Sequence, residues 1–195
     1  ATLPGGNEVA VKVLRPNIAK QFARDIALFY WIADLALRTD PTLKRLRLVE
    51  IVRTVEETVY IEMNLRMEAA AADELRSNFL DDPMFYVPEV DWQRTSQRVL
   101  TLEWVKGTQI TQLDKLRKKR ADLDKILAHA SGVFFKQVFR DGFFHADMHP
   151  GNLFIGDNGK IIVVDFGIMG RLDKEARVFL AQTLLGFFQR DYYRV

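Results

Sequence analysis

Two stretches decide the fold: Gly142-Phe143-Phe144-His145-Ala146-Asp147-Met148-His149-Pro150-Gly151-Asn152, and Ile161-Ile162-Val163-Val164-Asp165-Phe166-Gly167. The first contains the pattern H-x-D-x-x-x-x-N, and the second is an apolar strand that runs into D-F-G. Between them lie a short apolar segment, residues 153–155, and an Asp-Asn-Gly turn at residues 157–159. This turn chemistry favours a tight β-hairpin. The hairpin predicts that Asp147, Asn152 and Asp165 lie close together at one end.

These three residues all carry oxygen atoms in their side chains. Side chains of this kind, placed together, can orient a hydroxyl group or a water molecule and hold magnesium against a triphosphate. The order and spacing are typical of the catalytic loop and the metal-binding loop of kinases. The pattern therefore predicts a phosphate-handling site built on this hairpin.

Composition sets the class of protein. The 195 residues are 48% hydrophobic and 28% charged, as in ordinary soluble globular proteins, and the net charge of +2 gives no argument for a nucleic-acid partner. There is no cysteine, which excludes disulfides, thiolate catalysis and cysteine-ligated zinc. Neither a signal peptide nor an apolar run of membrane-spanning length is visible. Ala1 opens inside a predicted hairpin and Val195 falls inside a helical pattern, so we expect a fragment truncated at both ends.

Lys12 lies in a predicted strand that follows a Pro-Gly-Gly-Asn turn at residues 4–7. A single lysine in an apolar strand commonly extends its ammonium group to solvent. The sequence Val-Ala-Val-Lys, however, also matches the strand lysine of kinases, which contacts nucleotide phosphates. Glu68 is the natural partner, because a buried lysine needs a carboxylate to remain charged. A solvated glutamate is the alternative for Glu68.

The remaining elements follow from periodicity and breakers. Helices are predicted over residues 16–38, 43–79 (with a bend near 58–61), 121–140 and 173–190, and two strands over residues 87–105. The phenylalanines of the third helix, with Phe143 and Phe144, are expected to form the core beneath the catalytic loop. The basic tract at residues 113–120 is either a solvated surface or a contact for anionic lipid headgroups.

With the strand lysine, the acidic segment at residues 62–72 and the two loop motifs in hand, the sequence resembles the UbiB family. This is the aarF-domain group of atypical kinases tied to ubiquinone (coenzyme Q) biosynthesis. The resemblance implies an α+β, protein-kinase-like fold of two lobes. Extra helices would be inserted in the N-terminal lobe, which fits the 56 positions between Lys12 and Glu68. Residues 1–105 would form the N-lobe-like region and residues 106–195 the C-lobe-like region.

The resemblance also implies roles for single residues. Lys12 contacts phosphates and pairs with Glu68 as part of the catalytic machinery. Asp147 is the catalytic-loop aspartate, and Asn152 and Asp165 bind magnesium beside the nucleotide.

Two further pairs follow from the same resemblance. The strand that leads into the hinge between lobes places Glu103 and Val105 where backbone groups bind adenine. The family's E-x-D motif falls on Glu62 and Asn64, where the second acid is replaced by an amide that keeps its hydrogen bonds and loses the charge.

The implied function is that of a magnesium-dependent ATPase or atypical kinase that uses ATP and Mg²⁺ and supports ubiquinone biosynthesis. A lipid or quinone precursor, an anionic membrane surface and quinone-biosynthesis enzymes are the implied partners. The implied location is cytoplasmic, peripheral to or anchored at the inner membrane through segments outside this chain.

Three alternatives stay open. One is an ATP-gated module that binds lipid or protein with little phosphoryl transfer. Another is a small-molecule kinase, because aminoglycoside and choline kinases carry a similar H-x-D-x-x-x-x-N, and because Ala146 replaces the arginine of H-R-D. The third is a zinc hydrolase that uses His145 and His149, although Pro150 interrupts any helix and no glutamate stands between the histidines.

Overall fold

The structure, a computed structural model, describes residues 1–119 and 121–191, so Arg120 of the basic tract lies outside the described residues. The chain divides into two compact units. The first comprises residues 1–69 and 91–101, and the second comprises residues 70–90 and the chain from residue 102 onward. The boundary between residues 105 and 106 stays a prediction. Among the described helices, none combines the length and the apolar character needed to cross a bilayer.

The first unit is built on two long helices, α1 (Ile18–Thr39) and α2 (Leu48–Glu62). The predicted break between them is confirmed: Asp40 ends α1, and its Oδ1 accepts the Thr42 N–H at 2.9 Å to start a short 3₁₀ helix, Pro41–Leu46. Ile26 and Ala33 are buried one heptad apart on α1. Between them on the same face, the Tyr30 hydroxyl donates to Glu56 of α2 at 2.8 Å. This face therefore joins the two helices.

The strand β1 (Val9–Val13) pairs with β3 (Val99–Glu103) in a two-stranded sheet. The predicted hairpin before β1 is present: Gly6 has φ +85°, and the Leu3 N–H donates to the Asn7 carbonyl at 2.8 Å. Only Val9 of this strand is buried, whereas Val13 is 60% exposed. Two strands alone shield little of either face of a sheet.

The second unit contains a four-stranded sheet in the order β2-β7-β6-β4. Its strands are β2 (Phe85–Tyr86), β4 (Thr108–Gln109), β6 (Leu153–Ile155) and β7 (Ile161–Val163). The predicted hairpin is confirmed, since β6 and β7 are antiparallel with Leu153 opposite Val163, and Gly159 takes φ +79° in the turn. Ile155 and all three residues of β7 are buried. Core packing thus fixes the register that the turn chemistry favours.

After residue 102 the second unit contains three helices, α4 (Leu113–Lys118), α5 (Leu123–Phe135) and α6 (Lys174–Gln189). Asp122 and Asp173 cap α5 and α6 by accepting backbone N–H groups at 3.1 and 2.8 Å. The helix predicted over residues 173–190 is confirmed. Strands β5 (Phe143–His145) and β8 (Met169–Arg171) form a separate antiparallel pair.

The helix predicted over residues 121–140 is corrected, because after Phe135 the chain continues as a π-helical turn, Lys136–Asp141. The wider turn carries Gln137 and Val138 into the interior. Phe134 and Phe135 are exposed, so the expected phenylalanine core is wrong for them; Phe143 is buried as expected.

Two other boundaries differ from the sequence-based expectation. The break between α2 and α3 (Leu65–Asn78) falls at residues 63–64 rather than at 58–61. Asn64 caps α3 at this break. The region predicted as two strands holds β3 and, before it, an isolated antiparallel bridge in which Val90 lies opposite Leu102, with a 3₁₀ turn, Trp92–Arg94, between them. The Asp91 carboxylate accepts the Arg94 N–H at 3.1 Å and caps this turn, while the Asp91 N–H donates to the Thr101 carbonyl at 2.9 Å.

Candidate active site

Lys12 and Glu68 form an ion pair in the first unit. The Lys12 Nζ lies 2.8 and 2.9 Å from the two carboxylate oxygens of Glu68. The Glu68 side chain is 7% exposed, so it is not the solvated glutamate of the alternative interpretation. It stands in the first turn of α3, where the helix dipole stabilises a carboxylate. Folding thus brings together two residues that the motifs identified and that lie 56 positions apart in the sequence.

The helix that carries Glu68 begins at Asn64. The Asn64 Oδ1 accepts the Arg66 N–H at 3.2 Å, and the Asn64 carbonyl accepts the Met67 N–H at 2.8 Å. Asparagine and aspartate cap helices about equally well. The amide at this position therefore preserves the start of α3, a role that the motif comparison missed although a cap residue before a helical run is a readable signal. Glu62, the other residue of the pair, ends α2 and is exposed.

Asp147 lies on an exposed loop directly after β5. Two local bonds shape the loop: the Asp147 N–H donates to Nδ1 of His145 at 3.2 Å, and the His149 N–H donates to the Asp147 carbonyl at 2.8 Å. Nδ1 of His149 accepts the Gly151 N–H at 3.0 Å. The backbone of the loop is thereby fixed on both sides of Asp147, while its carboxylate stays at the surface.

Asn152 and Asp165 lie beside each other at the end of the β6–β7 hairpin. The Val164 N–H donates to the Asn152 carbonyl at 3.2 Å, which extends the antiparallel pairing by one position. Asp165 follows Val164 directly and is half-buried, and its Oδ1 accepts the Gly167 N–H at 3.2 Å. The hairpin therefore presents an amide and a carboxylate at one end, as predicted.

His145 joins the Asp147 loop to the Asp165 segment. Its side chain is buried, 3% exposed, and Nε2 lies 2.5 Å from the Asp165 carbonyl oxygen. Because Nδ1 accepts the Asp147 N–H, the proton resides on Nε2 and is donated to that carbonyl. Both ring nitrogens are thus committed to backbone groups. The geometry gives His145 a positioning role and speaks against its use as a zinc ligand.

Gln137 is the site residue that sequence reasoning missed. Its side chain is fully buried, and its Oε1 accepts the backbone N–H of His145 at 2.9 Å. Its Nε2 has no hydrogen-bond partner among residues 1–119 and 121–191. No signal in the sequence reveals this contact, because it depends on the π-helical turn. π-helical turns occur frequently at functional sites.

The side chain of Glu103, at the end of β3, accepts hydrogen bonds within the second unit. Its Oε2 accepts the Tyr86 hydroxyl at 2.5 Å and the Glu89 N–H at 3.3 Å, while its own N–H donates to the Glu89 carbonyl at 2.8 Å. Burial and the neighbouring carboxylate raise the pKa of Tyr86 to about 12. Val105 is half-buried in the coil that follows β3. Because the carboxylate is already bonded within the protein, only the backbone of Glu103 is left to contact a nucleotide base.

Comparison with known proteins agrees with this layout. The family model of the ABC1 atypical kinase-like domain matches residues 1–195. Proteins named "Probable protein kinase UbiB" from Marinobacter nauticus and Pseudomonas paraeruginosa are each 43% identical over 199 residues, which cover all of this chain and 36% and 37% of the relatives. The chain thus spans a little over a third of their length.

A solved structure, the complex of Rv3197 with erythromycin from Mycobacterium tuberculosis, aligns with 98% of this chain and 48% of its own. The TM-score is 0.63 at 25% sequence identity. The kinase-like fold expected from the motifs is confirmed, and so is the resemblance to UbiB proteins. Because the family model covers the whole sequence, this chain belongs to the ABC1 atypical kinase-like domain family.

Proposed function

We propose that this chain is the nucleotide-binding and catalytic part of a magnesium-dependent ATPase or atypical kinase. The observation that carries the proposal is the His145 bridge. One buried imidazole bonds the backbone of Asp147 and the backbone of Asp165, and Asn152 lies beside Asp165 on the hairpin. These bonds support the proposal because they restrain the backbone of the three residues that would act as catalytic carboxylate and oxygen ligands.

The donor set fits magnesium. Mg²⁺ prefers hard oxygen ligands and is usually held by one or two carboxylates together with substrate phosphates, rather than by a cage of protein groups. Asp165 supplies a carboxylate and Asn152 an amide oxygen. Within the described part of the chain, no group of three or more His, Asp or Glu side chains is arranged to hold a metal. Phosphate oxygens would complete the coordination, and the bound ion would neutralise charge on the transferred phosphoryl group.

The protein groups divide the remaining work. The exposed Asp147 carboxylate would accept a hydrogen bond from the attacking hydroxyl group or water and orient it. The Lys12 ammonium, held by Glu68, would contact nucleotide phosphates as a point charge. The carbonyl of Glu103 and the N–H of Val105 would bind adenine.

The setting of this reaction is inferred from the relatives. The name of the relatives, "Probable protein kinase UbiB", supports a role in ubiquinone biosynthesis. The partners would be a lipid or quinone precursor, or the quinone-biosynthesis enzymes, at a membrane surface. Ala146 and His149 are exposed on the loop in place of the usual arginine and lysine of protein kinases. An uncharged residue at 146 offers no group to bind an activation-loop phosphate, which favours ATP hydrolysis or a small acceptor.

Magnesium-dependent ATP turnover tests the proposal. Asp147→Asn and Asp165→Asn should each lower the rate by about 10²- to 10⁴-fold. Asp157→Asn is the matched control: Asp157 lies on the same hairpin, its side chain is 89% exposed, and among the described residues it pairs with the exposed Lys119, so the rate should not change. Wild-type protein that binds Mg-ATP without turnover above the two variants would refute the enzyme and favour the ATP-gated binding module.

A further inference from the structure

Glu103 is held by three hydrogen bonds at the end of β3. Its carboxylate accepts from the Tyr86 hydroxyl and from the Glu89 N–H, and its own N–H donates to the Glu89 carbonyl. The Tyr86 bond, at 2.5 Å, is the shortest of them. Tyr86 therefore restrains the rotation of the Glu103 side chain and, through it, of the backbone that leads to Val105.

Tyr86 is itself firmly placed. It lies on β2, which pairs in parallel with β7, so that Tyr86 is opposite Ile162. Ile162 precedes Asp165 by three positions in the chain. The Lys160 ammonium stands 5.0 Å from the centre of its ring. The sheet that positions the metal-binding aspartate thus also positions the hydroxyl that holds Glu103.

We propose that Tyr86 is a positioning residue for recognition of the nucleotide base, acting through the Glu103 carboxylate; this inference rests on the proposed function. Because the Glu103 N–H donates to the Glu89 carbonyl, the Glu103 carbonyl is the backbone group of this residue that would contact the base. A carbonyl accepts a hydrogen bond from the exocyclic amine of adenine. Guanine presents an oxygen at the same position, which the carbonyl repels. Fixing this carbonyl therefore sets the preference for ATP over GTP.

The test compares Tyr86→Phe with Tyr30→Phe in the full chain. Tyr30 is a matched control because its hydroxyl makes the same kind of bond to a glutamate, Glu56, on the α1–α2 pair. Dissociation constants for Mg-ATP and Mg-GTP are measured for each variant. Tyr86→Phe should weaken ATP binding by about 3- to 10-fold and GTP binding by less than about 2-fold, with kcat little changed. Tyr30→Phe should change neither.

A second measurement needs no nucleotide. Hydrogen exchange of the backbone amides at residues 103–105 should quicken in Tyr86→Phe and not in Tyr30→Phe. In a double-mutant cycle, Tyr86→Phe is added to Glu103→Leu. The double variant should bind ATP as tightly as Glu103→Leu alone, because the Tyr86 hydroxyl acts through the Glu103 carboxylate.

The outcomes separate the two proposals. Equal weakening of ATP and GTP, or no weakening, overturns the role of Tyr86 while the proposed function stands. Wild-type protein that binds neither nucleotide overturns both. Unchanged amide exchange in Tyr86→Phe overturns the positioning role whatever the nucleotide results.

Discussion

Replacing Gln137 with leucine should leave the free energy of unfolding almost unchanged and yet slow ATP turnover. The substitution removes the Oε1 that accepts the His145 N–H, and a buried N–H left without its acceptor costs about 1–3 kcal/mol. It also removes Nε2, a buried donor that meets no acceptor within the described residues, which returns a similar amount. Leucine is close to glutamine in volume, so little cavity or overpacking is added. The net change should lie within about 1 kcal/mol.

Turnover should fall because His145 loses one of the bonds that hold it between the Asp147 and Asp165 segments. A misplacement of catalytic groups by about 1 Å costs up to about 100-fold in rate, so a fall of about 10- to 100-fold is expected. Urea unfolding measures the stability, and steady-state hydrolysis of Mg-ATP measures the rate.

Gln137→Glu provides the contrast. It keeps an acceptor for His145 but places a carboxyl group in a fully buried position, where desolvation raises its pKa above the unfolded value. Relative to wild type, its stability should be retained at pH 4 and lost as the pH rises through the folded-state pKa. If Gln137→Leu costs more than about 3 kcal/mol, Nε2 must have an acceptor and the reasoning fails. Unchanged turnover would remove Gln137 from the site.

Three further outcomes are expected. Because burial and the bond to Glu103 raise the pKa of Tyr86 to about 12, the neutral phenol should add stability below pH 10 that disappears between about pH 10 and pH 12, and alkaline unfolding of Tyr86→Phe should lack this component. Gly142→Ala should destabilise the protein by at least about 2 kcal/mol in urea unfolding, because Gly142 has φ +64° and an added Cβ would lie 2.5 Å from the Leu172 carbonyl oxygen. Asn64→Ala should cost about 1 kcal/mol through loss of the α3 cap, while Asn64→Asp should cost little, and equal losses in the two variants would contradict the capping role.

Much of the fold could be predicted from short-range patterns in the sequence. The β6–β7 hairpin was predictable because a turn with glycine at positive φ and two apolar strands lie within eleven residues, 153–163. The capped start of α6 at Asp173 was predictable for the same reason. The strand that the apolar pattern predicted before β3 is reduced to one antiparallel bridge, Val90 opposite Leu102, because the Asp91 cap turns the chain directly after it.

Sequence by itself determined which residues form the candidate site, since the spacing of Asp147, Asn152 and Asp165 on one loop and one hairpin brings them together through local geometry. Only the tertiary structure decided what supports them. The bond between Gln137 and His145 requires a π-helical turn, which the periodicity of the sequence does not predict. The bond between Tyr86 and Glu103 joins residues that meet only after the sheet has formed. Such partners are selected by burial, because an enclosed polar group must find a hydrogen bond wherever the packed chain offers one.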